Sequence, residues 1–249
     1  MHRFFLAPDR CTGPELRLSE PDSHHAVRVL RLTPGTRIEI LDGAGRRLDC
    51  ELIGTDRRAA TARILAERHQ DAPPRVHLAV AILKGRAMDW LVQKATELGA
   101  AEIHPLFTER TIPRLGADTP ESWVEAWHTT AVEASKQCGN AWLPRIHPPL
   151  RLEAWVAAPP HTSGPWLAAM LRSDTRSPRQ VLATLPRVPT CVTAIIGPEG
   201  DLTEAEQDSL LAAGAHAISL GPLTLRAETA AVAALAILQH ELAAQREMA

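Results

Sequence analysis

Two late stretches hold the residues whose types and spacing could do chemistry. Ile195-Ile196-Gly197-Pro198-Glu199-Gly200-Asp201-Leu202-Thr203 and Leu220-Gly221-Pro222-Leu223-Thr224-Leu225-Arg226-Ala227-Glu228-Thr229-Ala230 share one arrangement: an apolar strand pattern stops at Gly-Pro and gives way to a capped helix. Proline fixes φ, and glycine lets a ligand approach the backbone. Ile196, Gly197, Pro198, Glu199 and Gly200 on one loop, and Leu220, Gly221, Leu223 and Leu225 on the other, are therefore candidates for a small-molecule cradle. Arg226 could stabilise an anion developing on a substrate, an electrostatic role that needs no unusual pKa. Pairing with Glu199 or Glu228 to stiffen the loop is the structural alternative. Glu228 could act as a general base, or be only the carboxylate that favours a helix start.

These residues need elements to hold them. Cys191 to Ile196 is a short β-branched apolar run, as expected of a strand buried on both faces. Thr203 with Glu206 three residues on forms a capping box that opens a helix. Ala217 to Leu220 is the second strand, and a helix over about Thr229 to Leu242 follows. It is so apolar that it must be buried in the core or against a second subunit. Upstream, Val76 to Leu83, Ala101 to Phe107 and Trp166 to Leu171 read as strands. Met88 to Leu98, closed by Gly99, reads as a helix, as do Pro120 to about Cys138, Leu152 to Ala157 and Gln180 to Leu185. This alternation predicts an α/β fold with a mostly parallel sheet, its ligand site beyond the carboxyl ends of the strands, where Lys84, Arg110, Gly197 and Gly221 fall. A dinucleotide-binding fold would need Gly-x-Gly-x-x-Gly after its first strand. The near match at Gly43-Ala44-Gly45-Arg46-Arg47-Leu48 lacks the last glycine and lies in a hairpin.

The first 72 residues read differently. Ser23 is a candidate N-cap for a short amphipathic helix that places Arg28 and Arg31 on its polar face. Arg37 to Leu41, Leu48 to Ile53 and Ala59 to Leu65 then alternate as strands, with Asp42-Gly43 a hairpin signal, and several short strands in so few residues suggest a small barrel. Asp71-Ala72-Pro73-Pro74 reads as a linker, dividing the chain into domains 1–72 and 73–249.

Composition excludes several classes. The chain has 249 residues, 45% of them hydrophobic, and a net charge of −2. It reads as an ordinary globular protein with no span of the roughly 20 apolar residues a bilayer requires, and a cytoplasmic location is expected. Residues 1–72 carry 12 basic and 11 acidic side chains, and residues 73–249 carry 15 and 18. Any nucleic-acid contact must therefore come from local clusters. Cys11, Cys50, Cys138 and Cys191 form no Cys-x-x-Cys pair, and the 11 histidines lack His-x-x-x-His spacing, so no metal is expected.

IGPEG followed by LT-x-x-E, and LGP-x-x-LR-x-ETA opening a terminal helix, resemble the C-terminal signatures of the RsmE family of 16S ribosomal RNA (uracil-N3)-methyltransferases, of the SPOUT class. The resemblance extends over most of the chain: Arg3-Phe4-Phe5, His24-His25-Ala26-Val27-Arg28-Val29-Leu30-Arg31 with Pro34-Gly35, Asp42-Gly43, Lys84-Gly85, Met88 to Gly99, Pro105-Leu106, Thr108-Glu109-Arg110 and Gln137-Cys138-Gly139.

The resemblance implies a SPOUT methyltransferase domain with a C-terminal trefoil knot behind a small PUA-like RNA-binding β-barrel domain, a homodimer with its pocket at the subunit interface, and S-adenosyl-L-methionine as cofactor. It implies 16S rRNA or the small ribosomal subunit as partner, with no membrane and no metal. On this basis Leu171 and Arg172 end a third loop, Leu171 joins the two Gly-Pro loops and Arg226 around the cofactor, and Arg226 and Glu228 are the catalytic candidates. Arg28, Arg31, Lys84, Arg86 and Arg110 are the candidate phosphate contacts, while Lys94 and Glu97 are surface charge. The chain departs from the pattern at Asp201, where Gly is expected, Leu223 (Arg), Ala227 (Thr), Lys136 (Glu) and Asn140 (Arg). Two other functions stay open: a SPOUT enzyme acting on another atom such as the ribose 2′-OH, and a non-catalytic RNA-binding assembly factor.

Overall fold

The computed structural model describes residues 1–112, 119–158 and 164–247. They form two compact units: Met1–Ala72 with Val132–Leu143, and Pro73–Ala131 with Pro144–Ala249. The Pro73-Pro74 linker stands at the division, and the last turns of one long helix are assigned to the first unit.

In the first unit, β1 (His2–Phe5), β2 (Glu15–Arg17), β3 (Arg37–Leu41), β4 (Arg46–Gly54) and β5 (Thr61–His69) form one sheet in the order β1-β3-β4-β5-β2. The pairing follows an open path with β1 and β2 at its edges rather than a closed ring. Helix α1 (Glu20–His24) runs into a π-helical turn over His25–Val29. Its Ala26, with Val27, Leu30 and Leu32, packs on the core made by Phe4, Ile38, Ile40, Leu48 and Leu52. The expected N-cap is corrected: Ser19, not Ser23, accepts the bond from Asp22 N. Ser23 is fully buried, and its hydroxyl instead accepts from Ala60 N at 2.9 Å. Arg28 is exposed on the π turn, whereas Arg31 lies past it at φ 53°, in the left-handed region, so the two do not share a helical face.

Glu39 is the electrostatic hub of this unit. Its carboxylate has no exposure and accepts from Arg3 Nε at 2.8 Å, Arg47 Nε and Nη2 at 3.0 and 2.9 Å, and Arg68 Nη2 at 3.2 Å. Arg3 also donates to the carbonyls of Lys136 and Gln137. A Cβ on Gly139, at φ 79°, would meet the Arg3 guanidinium at 2.9 Å. The Arg3-Phe4-Phe5 and Gln137-Cys138-Gly139 motifs therefore meet in space. We expect Glu39→Ala to cost about 3 kcal/mol of stability, because it leaves three arginines without their shared acceptor, and Glu39→Gln to cost less; urea unfolding of the two variants measures both.

The second unit comprises β6 (Arg75–Ala81), α2 (Arg86–Glu97), β7 (Glu102–Phe107), α3 (Pro120–Cys138, ending in the first unit), β8 (Arg145–Ile146), β9 (Leu150–Arg151), α4 (Leu152–Ala157), β10 (Trp166–Ala169), α5 (Pro178–Ala183), β11 (Cys191–Ile196), α6 (Glu204–Ala212), β12 (His216–Ile218) and α7 (Ala227–Glu247). The strands form one parallel sheet in the order β12-β10-β11-β6-β7-β8, with β9 also paired to β7. Every residue of β11, and all of β6 after Arg75, is buried, which requires cover on both faces. Trp155 of α4 and Leu210 of α6 pack on Ala79, Ala168 and Ile195, while α7 packs on β6, β11 and α2. One face of the apolar terminal helix, with Ala231, Ala234, Leu235, Leu238 and Leu242, is thus core within one chain, while Val232 and Ile237 stay half-buried and Ala236 exposed. The helix begins at Ala227, two residues before the expected start. Among the described residues no helix is long and apolar enough to cross a membrane.

One face of the sheet carries polar groups near its amino end. His77 and His104 are fully buried. Burial pushes His104 down to about 3 and lowers His77, with Glu102 opposing the shift at His77, so both imidazoles are neutral.

Candidate functional site

The carboxyl ends of β10, β11 and β12 are neighbours in the sheet, so the loops that leave them converge. Between them lies an open cleft with about 620 Å³ of empty space, counting its mouth. Its walls are Ala169 to Leu171 after β10, Ile196 to Glu199 with Asp201 after β11, Ile218 to Gly221 and Leu223 to Leu225 after β12, and Ala227 and Ala230 on the first turns of α7. The sheet brings together Leu171, Ile196, Gly197, Pro198, Glu199, Leu220, Gly221, Leu223 and Leu225, as the sequence suggests. Two expected wall residues stand outside it. Gly200 faces Arg110, whose Nη1 donates to the Gly200 carbonyl at 2.6 Å, and Arg226 is exposed beyond the wall. Met170, Ser219, Ala227 and Ala230 escape the sequence reading, since small or apolar residues there carry no signal.

Local chemistry shapes each loop. A Cβ on Gly197 would meet Leu202 Cγ at 3.0 Å and Leu202 N at 3.1 Å, so the turn closes too tightly for a side chain. Gly221 has φ 138° and nothing within 4 Å of the place a Cβ would take, which leaves its backbone open to a ligand. Thr203 and Glu206 form both halves of the capping box. The buried Glu206 carboxylate also accepts from Glu109 N at 2.8 Å, locking the loop after β7 to the loop after β11. This second role of Glu206 is invisible in the spacing, although the capping box marks the residue.

Asp201 sits at φ 61°, in the left-handed region, and its Oδ1 accepts from Leu202 N at 2.8 Å. Glycine has no penalty at such a φ, and Asp is one of the few other residues that tolerate it. The departure from Gly is therefore compatible with the turn. Asp201→Gly should leave stability within about 0.5 kcal/mol of wild type while Asp201→Ala lowers it by about 1 kcal/mol, an order that denaturant unfolding reads directly.

Arg226 is exposed. Its carbonyl accepts from Ala230 N at 2.8 Å and so starts α7, and among the described residues its guanidinium has no carboxylate partner. Pairing with Glu199 or Glu228, the structural alternative, is not what is found. Glu228 is half-buried in the first turn of α7. Leu171 and Leu223 are 66% and 75% exposed on the cleft walls, apolar surface open to a ligand. The donor set fits a flat apolar ring with a polar tail: backbone groups of two glycine turns, aliphatic walls, and no charged side chain but Glu199 and Asp201. Lys84, Arg86 and Arg110 lie beyond the carboxyl ends of β6 and β7, all exposed, although Arg110 is tied to Gly200. Lys94 and Glu97 pair with each other at 2.8 Å on α2.

Residues 70–239 match the family model described as an RNA methyltransferase domain, and residues 18–65 match one described as an RNA methyltransferase PUA domain. A curated relative, ribosomal RNA small subunit methyltransferase E of Synechocystis sp., is 32% identical over 248 residues, covering 94% of this chain and 76% of the relative. The chain belongs to the ribosomal RNA small subunit methyltransferase E family. The family's member from Bacillus subtilis is 26% identical over 97% of both chains. The crystal structure of the Neisseria gonorrhoeae member bound to S-adenosyl methionine superposes with a TM-score of 0.83 at 29% identity, covering 96% of this chain and 97% of that one. The fold is that of the family, α/β with an N-terminal PUA domain.

Two departures from the family pattern have structural partners in the first unit. Lys136 pairs with Asp22 at 3.1 Å and Glu133 at 2.6 Å. Burial opposes its charge, but the hydrogen bonds to Glu133 and Asp22 outweigh it and hold the amine above its usual range. Asn140 Oδ1 accepts from Trp142 N at 3.0 Å and Gln70 Nε2 at 3.3 Å.

Proposed function

We propose that this protein transfers a methyl group from S-adenosyl-L-methionine to N3 of a specific uridine in the 16S rRNA of the small ribosomal subunit. The observation that carries this reading is the cleft at the sheet's carboxyl edge, walled by both Gly-Pro loops, in a chain of this family. When bound, the sulfonium donor supplies an electrophilic methyl that needs no further activation. The protein's task is to orient donor and base and to manage the N3 proton. Ile196, Leu220, Leu223 and Leu225 pack the adenine, backbone groups of Gly197 to Glu199 and of Leu220 to Leu225 hold the polar parts, and Leu171 closes the third side. Arg226, at the start of α7, stabilises the anion left when N3 loses its proton. Glu228 receives that proton.

Arg28 and Arg31 on the PUA unit, and Lys84, Arg86 and Arg110 on the methyltransferase unit, contact phosphates. We further infer a trefoil knot in the C-terminal segment. The chain leaves β11, crosses to the sheet edge at β12 and returns as α7 against β11, β6 and α2, a doubling back of the kind that threading requires. The active form is a cytoplasmic homodimer, for which the exposed Leu171 and Leu223 offer apolar surface. The deciding experiment treats 16S rRNA and small subunits from a strain lacking this gene with purified protein and S-adenosylmethionine, then digests the RNA to nucleosides for mass spectrometry. N3-methyluridine is the expected product. A 2′-O-methylated nucleoside, or no methylated product with either substrate, would overturn the assignment.

A further inference from the structure

The buried polar cluster near the amino end of the sheet takes no part in the cleft and demands its own explanation. The β-register aligns Thr193 of β11, His77 of β6 and Glu102 of β7 in one row. His104, two residues past Glu102, shares its face. His77 and His104 are 0% and 1% exposed, and neither ring nitrogen of either imidazole has a hydrogen-bond partner. Trp155 Nε1 and Thr193 Oγ1 are likewise buried and unpartnered. Six orphaned polar atoms in the described residues are an ordinary number, but here they gather in one place, on His77, His104 and Thr193 of one sheet and on Trp155 packed against it, and each unpartnered buried donor is costly.

The geometry points to a zinc-class divalent metal site formed by His77, His104 and Glu102. One ligand atom from each of the three lies within 4.8 Å of the other two. Glu102 Oε1 is 3.9 Å from His77 Nε2, and Glu102 Oε2 is 3.5 Å from His104 Nε2. Ligand atoms at about 2.0–2.2 Å from a tetrahedral ion are roughly 3.4 Å apart, so side-chain rotation that draws the three atoms together from within 4.8 Å closes the set, with Arg75 Nη2 remaining 3.6 Å from Glu102 Oε1. Two neutral imidazoles and a carboxylate suit zinc, cobalt or nickel, and suit magnesium or calcium poorly. His147 Nε2 lies 2.6 Å from Glu102 Oε2 and stacks on the His104 ring at 4.1 Å, where it orients the ligating carboxylate as an outer-shell partner does. The His147 side chain is 10% exposed, so the ion reaches the site from the β8 side. Bound there, it would clamp β6 to β7 at the end of the sheet opposite the cleft. The sequence hides this cluster because Glu102 and His104 of β7 meet His77 only through the pairing of β7 with β6.

The test uses untagged full-length protein purified without chelators, metal analysis by mass spectrometry, and titration of the chelator-treated protein with Zn²⁺ and with Co²⁺. We expect one zinc-class ion per chain, a tetrahedral Co²⁺ absorption spectrum, and a rise of roughly 5 °C or more in unfolding temperature at saturating Zn²⁺. Glu102→Gln and His104→Leu should each weaken binding at least about 100-fold. His104→Leu replaces an unpartnered imidazole by an apolar group and should stay folded without metal, which keeps the comparison interpretable. No copurifying metal together with no Zn²⁺-dependent stabilisation of wild type would overturn the proposal. Undiminished binding by both variants would place the ion elsewhere and overturn it equally.

Discussion

Replacing Arg226 by alanine is expected to lower the rate of methyl transfer by about 10²–10³-fold while leaving the affinity for S-adenosylmethionine, read by calorimetry, within a few-fold of wild type. The first half follows from charge. Uridine N3 is protonated in neutral solution, so the reacting form is an anion, and of the two catalytic candidates, Arg226 and Glu228, only the guanidinium can donate to it. The second half follows from placement. Arg226 is not part of the cleft wall, and the group that anchors α7 is its carbonyl, bound by Ala230 N, rather than its side chain. Losing the side chain therefore removes no contact that holds the loop. Single-turnover rates separate this from slow product release. Wild-type turnover by Arg226→Ala would take the residue out of the mechanism. Glu228→Gln then divides the two roles open to the carboxylate. If Glu228 receives the proton, the variant loses the rising limb of the pH–rate profile. An unchanged profile leaves it as a favourable charge at the helix start.

What could be read in advance depended on how local the signal was. Both Gly-Pro loops, the Thr203–Glu206 capping box and the Gly99 helix end are written within a few residues of themselves, and the structure has them where the residues imply. The strand β12 and the start of α7 shift by a residue or two, because strand ends and helix ends blur. Ser19 caps α1 with Pro21 and the acidic Glu20 and Asp22 in the first turn, a local signal that the sequence reading misses, while Ser23 is taken into the core, which only the tertiary fold shows. The short strands β1, β2 and β8 pair with partners far away in sequence and have too few residues to show a period. Several motifs that carry the family resemblance prove to be packing contacts: Arg3 against Gly139, Gly43 against Phe5. A resemblance marks such residues without saying why they are needed. The His77, Glu102 and His104 cluster lies at the far limit, since only the register of two parallel strands brings it together.

The second large effect concerns the donor. Ala230→Trp should reduce S-adenosylmethionine binding at least about 100-fold, or below detection, with little change in unfolding temperature. Ala227 and Ala230 lie one turn apart at the start of α7, and both line the cleft. An indole at position 230 has nowhere to go but the open space, because Ala231 and Ala234 beside it are fully buried. The substitution enters a helix surface rather than a packed core, so it avoids the cost of overpacking and loses only roughly half a kcal/mol of helix propensity. Thr229→Trp supplies the control: position 229 is exposed, on the same turn, and outside the cleft wall, so that variant should bind as wild type does. A protein that binds the donor equally well with Ala230→Trp holds it somewhere other than between the two Gly-Pro loops. In that case the roles given to Ile196, Gly197, Leu220, Gly221 and Leu225 fall with the pocket, and Arg226 loses the neighbour that makes its charge useful.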